Sequence, residues 1–226
     1  MLFRSVPSKD IDIEVFGIES TRLSALLGAI GRVEPVGQAF PVYKVVVPGV
    51  TGEVDVALPR RESKTGRGHK GFDVRGDPSM SVVDAARRRD FTVNAISWDP
   101  LLDRYEDPFN GRADIDRRVL RAVAPDTFAD DSLRVLRAIQ FAARFSFVLD
   151  PATAALCRAL PLDDLPAERI WGEFEKLLTA DAPSSGFELA RTLGVIDRLF
   201  PDLAALVGCP QEPEWHPEGE IGRAHV

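Results

Sequence analysis

The hydrophobic period of this chain changes near residue 125, and that change limits the possible folds more than any single motif does. Before it, apolar and polar residues alternate in short runs: "DIDIEVFG" (10–17), "YKVVVPGV" (43–50) and "EVDVAL" (53–58) each read as a strand. The turn residues Pro48 to Gly52 between the last two predict a hairpin. After it, "DDSLRVLRAIQFAARF" (130–145) spaces its apolar residues as an amphipathic helix does. "PATAALCRAL", "PAERIWGEFEKLL" and "SGFELARTL" read as further helices, each opened by Pro or Ser. The fold class expected is therefore α+β: residues 1–124 around a mixed or antiparallel sheet, residues 125–206 all-α, and residues 207–226 a linker and tail.

Between the strands and the helices lie three further segments. Ser63 to Gly71 is rich in Gly, Lys and Arg and predicts a mobile loop. "SMSVVDAARRRDFTVNAI" (79–96) predicts one helix, with Ser81 and Asp84 near its start and Asn94 near its end. A short β-like segment follows, with "DPFNG" (107–111) as a turn.

Composition bounds the function classes. The 226 residues are 45% hydrophobic and 28% charged, which suits a globular chain with a sizeable core. No apolar run approaches the roughly 20 residues that span a bilayer. Cys157 and Cys209 match no metal or redox spacing, which fits a reducing cytoplasm. A net charge of −7 argues against nucleic-acid binding through bulk charge. Basic residues are concentrated instead: "RRESKTGRGHKGFDVR" (60–75) carries six Lys/Arg against two acids, and Arg87 to Arg89 are consecutive.

The first strand poses a chemical question. Residues i and i+2 of a strand share a face, so Ile11 and Ile13 are expected in the core with Asp10 and Asp12 together opposite. Adjacent carboxylates repel unless something positive sits between them, and Mg²⁺ favours carboxylate oxygen and substrate phosphate. In "EVDVAL" the same alternation sets Glu53 and Asp55 apart from Val54, Val56 and Leu58. If the two strands are neighbours, Asp55 is a third acid, as two-metal phosphoryl-transfer sites require. The competing reading is an edge strand with a solvated, charged face.

"SKDIDIEVFG", "RRESKTGRGHKGF", "RRRDFTVNAI", "DPFNGRADIDRRVLRAV" and "DDSLRVLRAIQFAARF" occur in an order that resembles bacterial class II tRNA nucleotidyltransferases (CCA-adding enzymes) and poly(A) polymerases. The resemblance runs from about Pro7 to Gly219. It implies a polymerase-β-like nucleotidyltransferase (palm) domain over 1–124, then a helical nucleotide- and tRNA-binding domain over 125–206. It implies Mg²⁺ as cofactor, tRNA, ATP and CTP as partners, and a cytoplasmic location without a membrane.

By the same resemblance Asp10 and Asp12 are the metal-binding pair and Asp55 the third catalytic carboxylate, with Glu62 as the alternative. Arg89, Arg134 and Arg137 match nucleotide-contacting positions. At about 100° per residue, Asp130, Arg134 and Arg137 share one side of a helix, where a plain Asp130–Arg134 salt bridge is the structural alternative. Cytosine and adenine both present an amine donor beside a ring-nitrogen acceptor. Asp131 can accept from that amine while Arg134 donates to the nitrogen, whereas uracil and guanine have the reverse polarity.

The activity implied is template-independent addition of C and A to the tRNA 3′ end. A poly(A) polymerase or a C-only or A-only relative shares every motif quoted, and a noncatalytic RNA-binding fragment is the reading from another class. The resemblance also implies a GGxVRD segment before Asp10, in whose place the chain reads "MLFRSVPSKD", as if truncated. "CPQEPEWHPEG" (209–219) resembles the lead-in to an HD domain, and "EIGRAHV" (220–226) reads as foreign sequence.

Overall fold

The structure is a computed structural model that describes residues 11–37, 42–64 and 72–209, with backbone alone for 61–64 and 72–75. The chain forms two compact units, 1–85 and 86–226.

The first unit is built on a mixed sheet. Strand β1 (Ile11–Glu14) leads into helix α1 (Ser20–Ile30), then β2 (Arg32–Val36), β3 (Val42–Val46) and β4 (Val54–Ala57). Among the described residues these strands form one sheet in the order β1-β4-β3-β2. β1 runs parallel to β4, while β4 with β3 and β3 with β2 are antiparallel. The predicted hairpin is thus β3–β4. Helix α1 repeats leucine at an i, i+4 spacing, so Leu23 and Leu27 bury one stripe against Tyr43, Val45, Val54 and Val56. Gly31 lets the chain turn out of α1: a Cβ there would lie 2.4 Å from the Val46 carbonyl oxygen.

Two expectations need correcting in this unit. Ile11 and Ile13 do lie on the buried face, since they pair with Val54 and Val56, yet each keeps 45% of its surface exposed. β1 ends the strand order, so among the described residues a strand covers one of its flanks and not the other. The basic segment is also more ordered at its margins than a loop beginning at Ser63: β5 (Arg60–Lys64) and β6 (Phe72–Gly76) pair antiparallel, Ser63 with Asp73 and Lys64 with Phe72. The intervening 65–71 lie outside the described residues.

The predicted helix over 79–96 is broken. α2 spans only Val82–Arg87, and Ser81 opens it, its Oγ accepting from the Asp84 amide at 3.1 Å. Past Arg89 the backbone groups leave the helical ladder for other partners. Thr92 N–H donates to Arg121 O, Val123 N–H to Asp90 O, and Phe91 bridges Ala122. A single 3-10 turn, Thr92–Asn94, is what remains of helix there.

The second unit continues with the hairpin β7 (Ser97–Asp99) and β8 (Arg104–Glu106), then α3 (Gly111–Arg117), β9 (Val119–Leu120), α4 (Pro125–Phe128), α5 (Leu133–Phe145) and β10 (Val148–Leu149). The turn before α3 is held by Asp107, whose carboxylate accepts from the amides of Gly111 and Arg112 at 2.6 and 3.0 Å. Helices α6 (Pro151–Ala159), α7 (Ala167–Leu178), α8 (Pro183–Thr192), α9 (Val195–Leu199) and α10 (Pro201–Ala204) complete it. α5 is the axis: Val135, Ala138 and Ala143 are fully buried, and α7 and α8 pack against it. Gly186 makes that junction close, since a Cβ there would come within 2.2 Å of Leu177 Cδ1 and 3.0 Å of Ala143 Cβ.

Candidate active site

In the first unit one row of side chains crosses the sheet on the face away from α1. Strand register pairs Asp12 with Asp55, Asp55 with Lys44, and Lys44 with Glu34. The alternation that turns Val54 and Val56 into the core necessarily turns Asp55 outward beside Asp12. Two carboxylates are therefore neighbours across the parallel pair, as expected if the strands were adjacent. Asp10 lies outside the described residues. So does the Glu62 side chain.

The sequence reading missed Lys44. Its Nζ donates to Asp55 Oδ1 at 3.3 Å and to Glu53 Oε2 at 3.2 Å. Those two hydrogen bonds, Glu53 first, raise the Lys44 pKa above its ordinary value. This ammonium offsets part of the repulsion between Asp12 and Asp55. Among the described residues no group of three or more His, Cys, Asp or Glu is gathered to hold a metal ion. Asp12 and Asp55 nevertheless offer only oxygen donors side by side, the donor type a hard divalent cation takes.

In the second unit the candidates gather around the start of α5. Arg134 donates through Nη2 to Arg88 O at 2.7 Å and through Nη1 to Thr127 O, with its guanidinium 5.9 Å from the centre of the Phe128 ring. Arg137 donates through Nε to Asp90 Oδ2 at 2.6 Å and lies over Phe141 at 5.1 Å. Its Nη1 is 4.0 Å from Glu173 Oε1, which also accepts from Lys176 at 2.8 Å. Arg134 and Arg137 thus hold residues 88 and 90, one on each side of Arg89, whose side chain is exposed.

Asp131 sits just before α5. Its Oδ1 accepts from the Leu133 amide at 3.0 Å and from Arg169 Nη1 at 3.3 Å, and its Oδ2 from Arg169 Nη2 at 2.9 Å. Burial pushes this carboxyl up, but the Arg169 and Leu133 hydrogen bonds and the Arg169 and Arg134 charges outweigh it, so its pKa lies below the ordinary value. Asp90, Arg169 and Glu173 were missed by the sequence reading. Asp90 stood in view within "RRRD"; Arg169 and Glu173 gave only the pattern of an ordinary helix.

Comparison with known proteins agrees with this architecture. Residues 2–121 match the family described as the poly A polymerase head domain, and residues 146–206 match the one described as a probable RNA and SrmB-binding site of polymerase A. The chain belongs to the poly A polymerase head-domain family. It is 40% identical over 223 residues to a multifunctional CCA protein of Xanthomonas campestris pv. campestris, a match that takes in 96% of this chain and 52% of that protein. A CCA-adding enzyme solved with CTP superposes with a TM-score of 0.69 at 25% identity, over 88% of this chain and 45% of its own. The Bacillus stearothermophilus CCA-adding enzyme in complex with CTP gives a TM-score of 0.67 at 28% identity, over 84% and 44%. The chain spans about half the length of the curated relatives it matches.

Proposed function

We propose that this chain carries the nucleotidyl-transfer machinery of an enzyme that adds C and A to the 3′ end of tRNA from CTP and ATP without a nucleic-acid template. The observation that carries the reading is the register pairing of Asp12 with Asp55 in a chain of this family. The relatives named as CCA proteins, and the similar structures solved with CTP and ATP, support the substrates. In this reading residues 1–124 are the catalytic domain and 125–206 the helical nucleotide- and tRNA-binding domain, with 207–226 a linker and tail. No helix among the described residues is long and apolar enough to cross a membrane, and we assign the protein to the cytoplasm, where its tRNA substrate is made.

The division of labour follows from the chemistry of each group. Asp12 and Asp55, with Asp10 two residues before Asp12 in sequence, would hold Mg²⁺, which when bound activates the RNA 3′ hydroxyl and neutralises charge developing on the triphosphate. Asp131 accepts from the exocyclic amine of cytosine or adenine, and Arg134 donates to the adjoining ring nitrogen. Arg89 contacts the nucleotide with its exposed guanidinium. A uracil or guanine would leave Asp131 facing a carbonyl, and an unpaired buried polar group costs more than a weak contact gains.

The test supplies tRNA lacking its terminal CCA, with each of the four nucleotides in turn and Mg²⁺ present. Incorporation of C and A alone is expected. Incorporation of all four, or of none, overturns the reading, and a long A tail on unrelated RNA transfers it to the poly(A) polymerase branch that the family description also covers.

A further inference from the structure

In the function proposed above Asp131 reads the amine of the incoming base, and the role argued here for Arg169 rests on that assignment. An ionised carboxylate can only accept hydrogen bonds, whereas its protonated form also donates. The form that Asp131 presents therefore decides whether an amine or a carbonyl fits opposite it.

The geometry bears on that choice. Arg169, projecting from α7, sets one guanidinium nitrogen on each carboxylate oxygen, at 2.9 and 3.3 Å. Such a fork fixes the plane of the carboxylate as well as its charge, which a lysine ammonium would not do. The Leu133 amide takes a third acceptor position at 3.0 Å. A carboxylate has about four lone-pair directions, so one is left for a base. The pair is not a screened surface contact, for the two side chains keep only 22% and 31% of their surface. The charges that face Asp131 are Arg169 from α7 and Arg134 from α5, and burial alone would favour the neutral acid.

We infer that Arg169 is a specificity-determining positioning residue, whose fork holds the Asp131 carboxylate as an obligate acceptor so that bases with an amine are admitted and bases with a carbonyl there are refused. With Arg169 removed, burial works on Asp131 against fewer opposing contacts. A growing fraction of the acid is then protonated as the pH falls. That form donates to the O4 of uracil. It corrects one of the two mismatched hydrogen bonds, the other being the donor of Arg134 against the uracil ring N–H.

The experiment measures the affinity ratio of CTP to UTP, and the matching incorporation ratio, in the unaltered protein and in Arg169→Gln, Arg169→Lys and Asp131→Asn, across about pH 5.5 to 8. A ratio does not depend on how much of each variant is folded. The unaltered ratio is expected to be flat with pH. Arg169→Gln is expected to narrow it by roughly three- to tenfold at the acid end, towards the value of Asp131→Asn, whose amide imitates the protonated acid. Arg169→Lys is expected to stay nearly flat, because the charge is retained. If Asp131→Asn narrows the ratio but Arg169→Gln leaves it unchanged, or changes it equally at every pH, the role of Arg169 is overturned while base reading by Asp131 stands. If Asp131→Asn leaves the ratio unchanged, the base-reading assignment fails and Arg169 loses its role with it.

Discussion

Arg137 and Asp90 form an ion pair at 2.6 Å in which the aspartate is almost wholly buried, 8% of its side chain remaining exposed. Asp90 also accepts, through Oδ1, from the Phe91 amide and from Asn94 Nδ2. The pair closes the break between α2 and the 3-10 turn and ties it to α5. Removal of Arg137 leaves a buried carboxylate without its counter-charge, a strongly destabilising change. Arg137→Ala should lower stability by about 2–4 kcal/mol in denaturant unfolding. A loss within experimental error would mean that Asp90 finds water instead.

Lys44 shares Asp55 with any cation bound there. Both side chains are partly exposed, so water screens their attraction, yet the ammonium still competes with a cation for the same oxygen. Lys44→Gln should therefore tighten Mg²⁺ or Mn²⁺ binding about fivefold, read from metal-dependent thermal protection. Asp12→Ala or Asp55→Ala should abolish both that protection and transfer, with little loss of stability in the metal-free protein. Normal turnover by either variant would remove the carboxylate pair from the mechanism.

Arg134 has two duties that one variant can separate. It donates to two backbone carbonyls and covers Phe128, so Arg134→Ala should cost about 1–3 kcal/mol of stability, more than an exposed salt bridge with Asp130 would. If it also reads the base, the same variant should narrow the preference for CTP over UTP by about five- to a hundredfold in single-turnover rates. An unchanged ratio with the stability loss intact would leave Arg134 as scaffold alone.

Thiol chemistry offers a check on the second unit. Burial pushes the Cys157 thiol up to about 12, so it stays protonated and unreactive at neutral and mildly alkaline pH. Cys209 is partly exposed. At about pH 8 a disulfide reagent should modify one thiol in the folded protein and both in denaturant. Prompt modification of both without denaturant would show that the core around α5 opens readily.

The legible parts of the sequence were those written in a single period. α5 through α8 and the β3–β4 hairpin could be read from spacing and turn residues, because their burial patterns are local. The facing of Asp12 and Asp55 was conditional on strand adjacency, which alternation cannot supply. α1 escaped notice: its buried stripe rests on two leucines, Leu23 and Leu27, six and ten residues after "VFG", while Leu26 and Ile30 stay exposed and blur the pattern. The segment 79–96 has helical composition throughout, yet Asp90 and the bridge to Ala122 draw its backbone elsewhere. Such tertiary partners leave no periodic trace. The same holds for Arg169 and Lys44, each an ordinary charged residue until the fold sets a carboxylate beside it.

The parallel pairing of β1 with β4 has a kinetic side. The β3–β4 hairpin closes over a few residues, whereas Asp12 meets Asp55 only after α1, β2 and β3 have been laid between them. Long loops cost entropy before their contacts repay it, so the hairpin should form early and β1 should dock last, along the end of a sheet already built. Mutations in β3 and β4 would then slow folding, and mutations in β1 would mainly hasten unfolding. The carboxylate pair would come into being with the final strand, so a chain released partly folded would carry Asp12 and Asp55 apart, as two separate solvated acids.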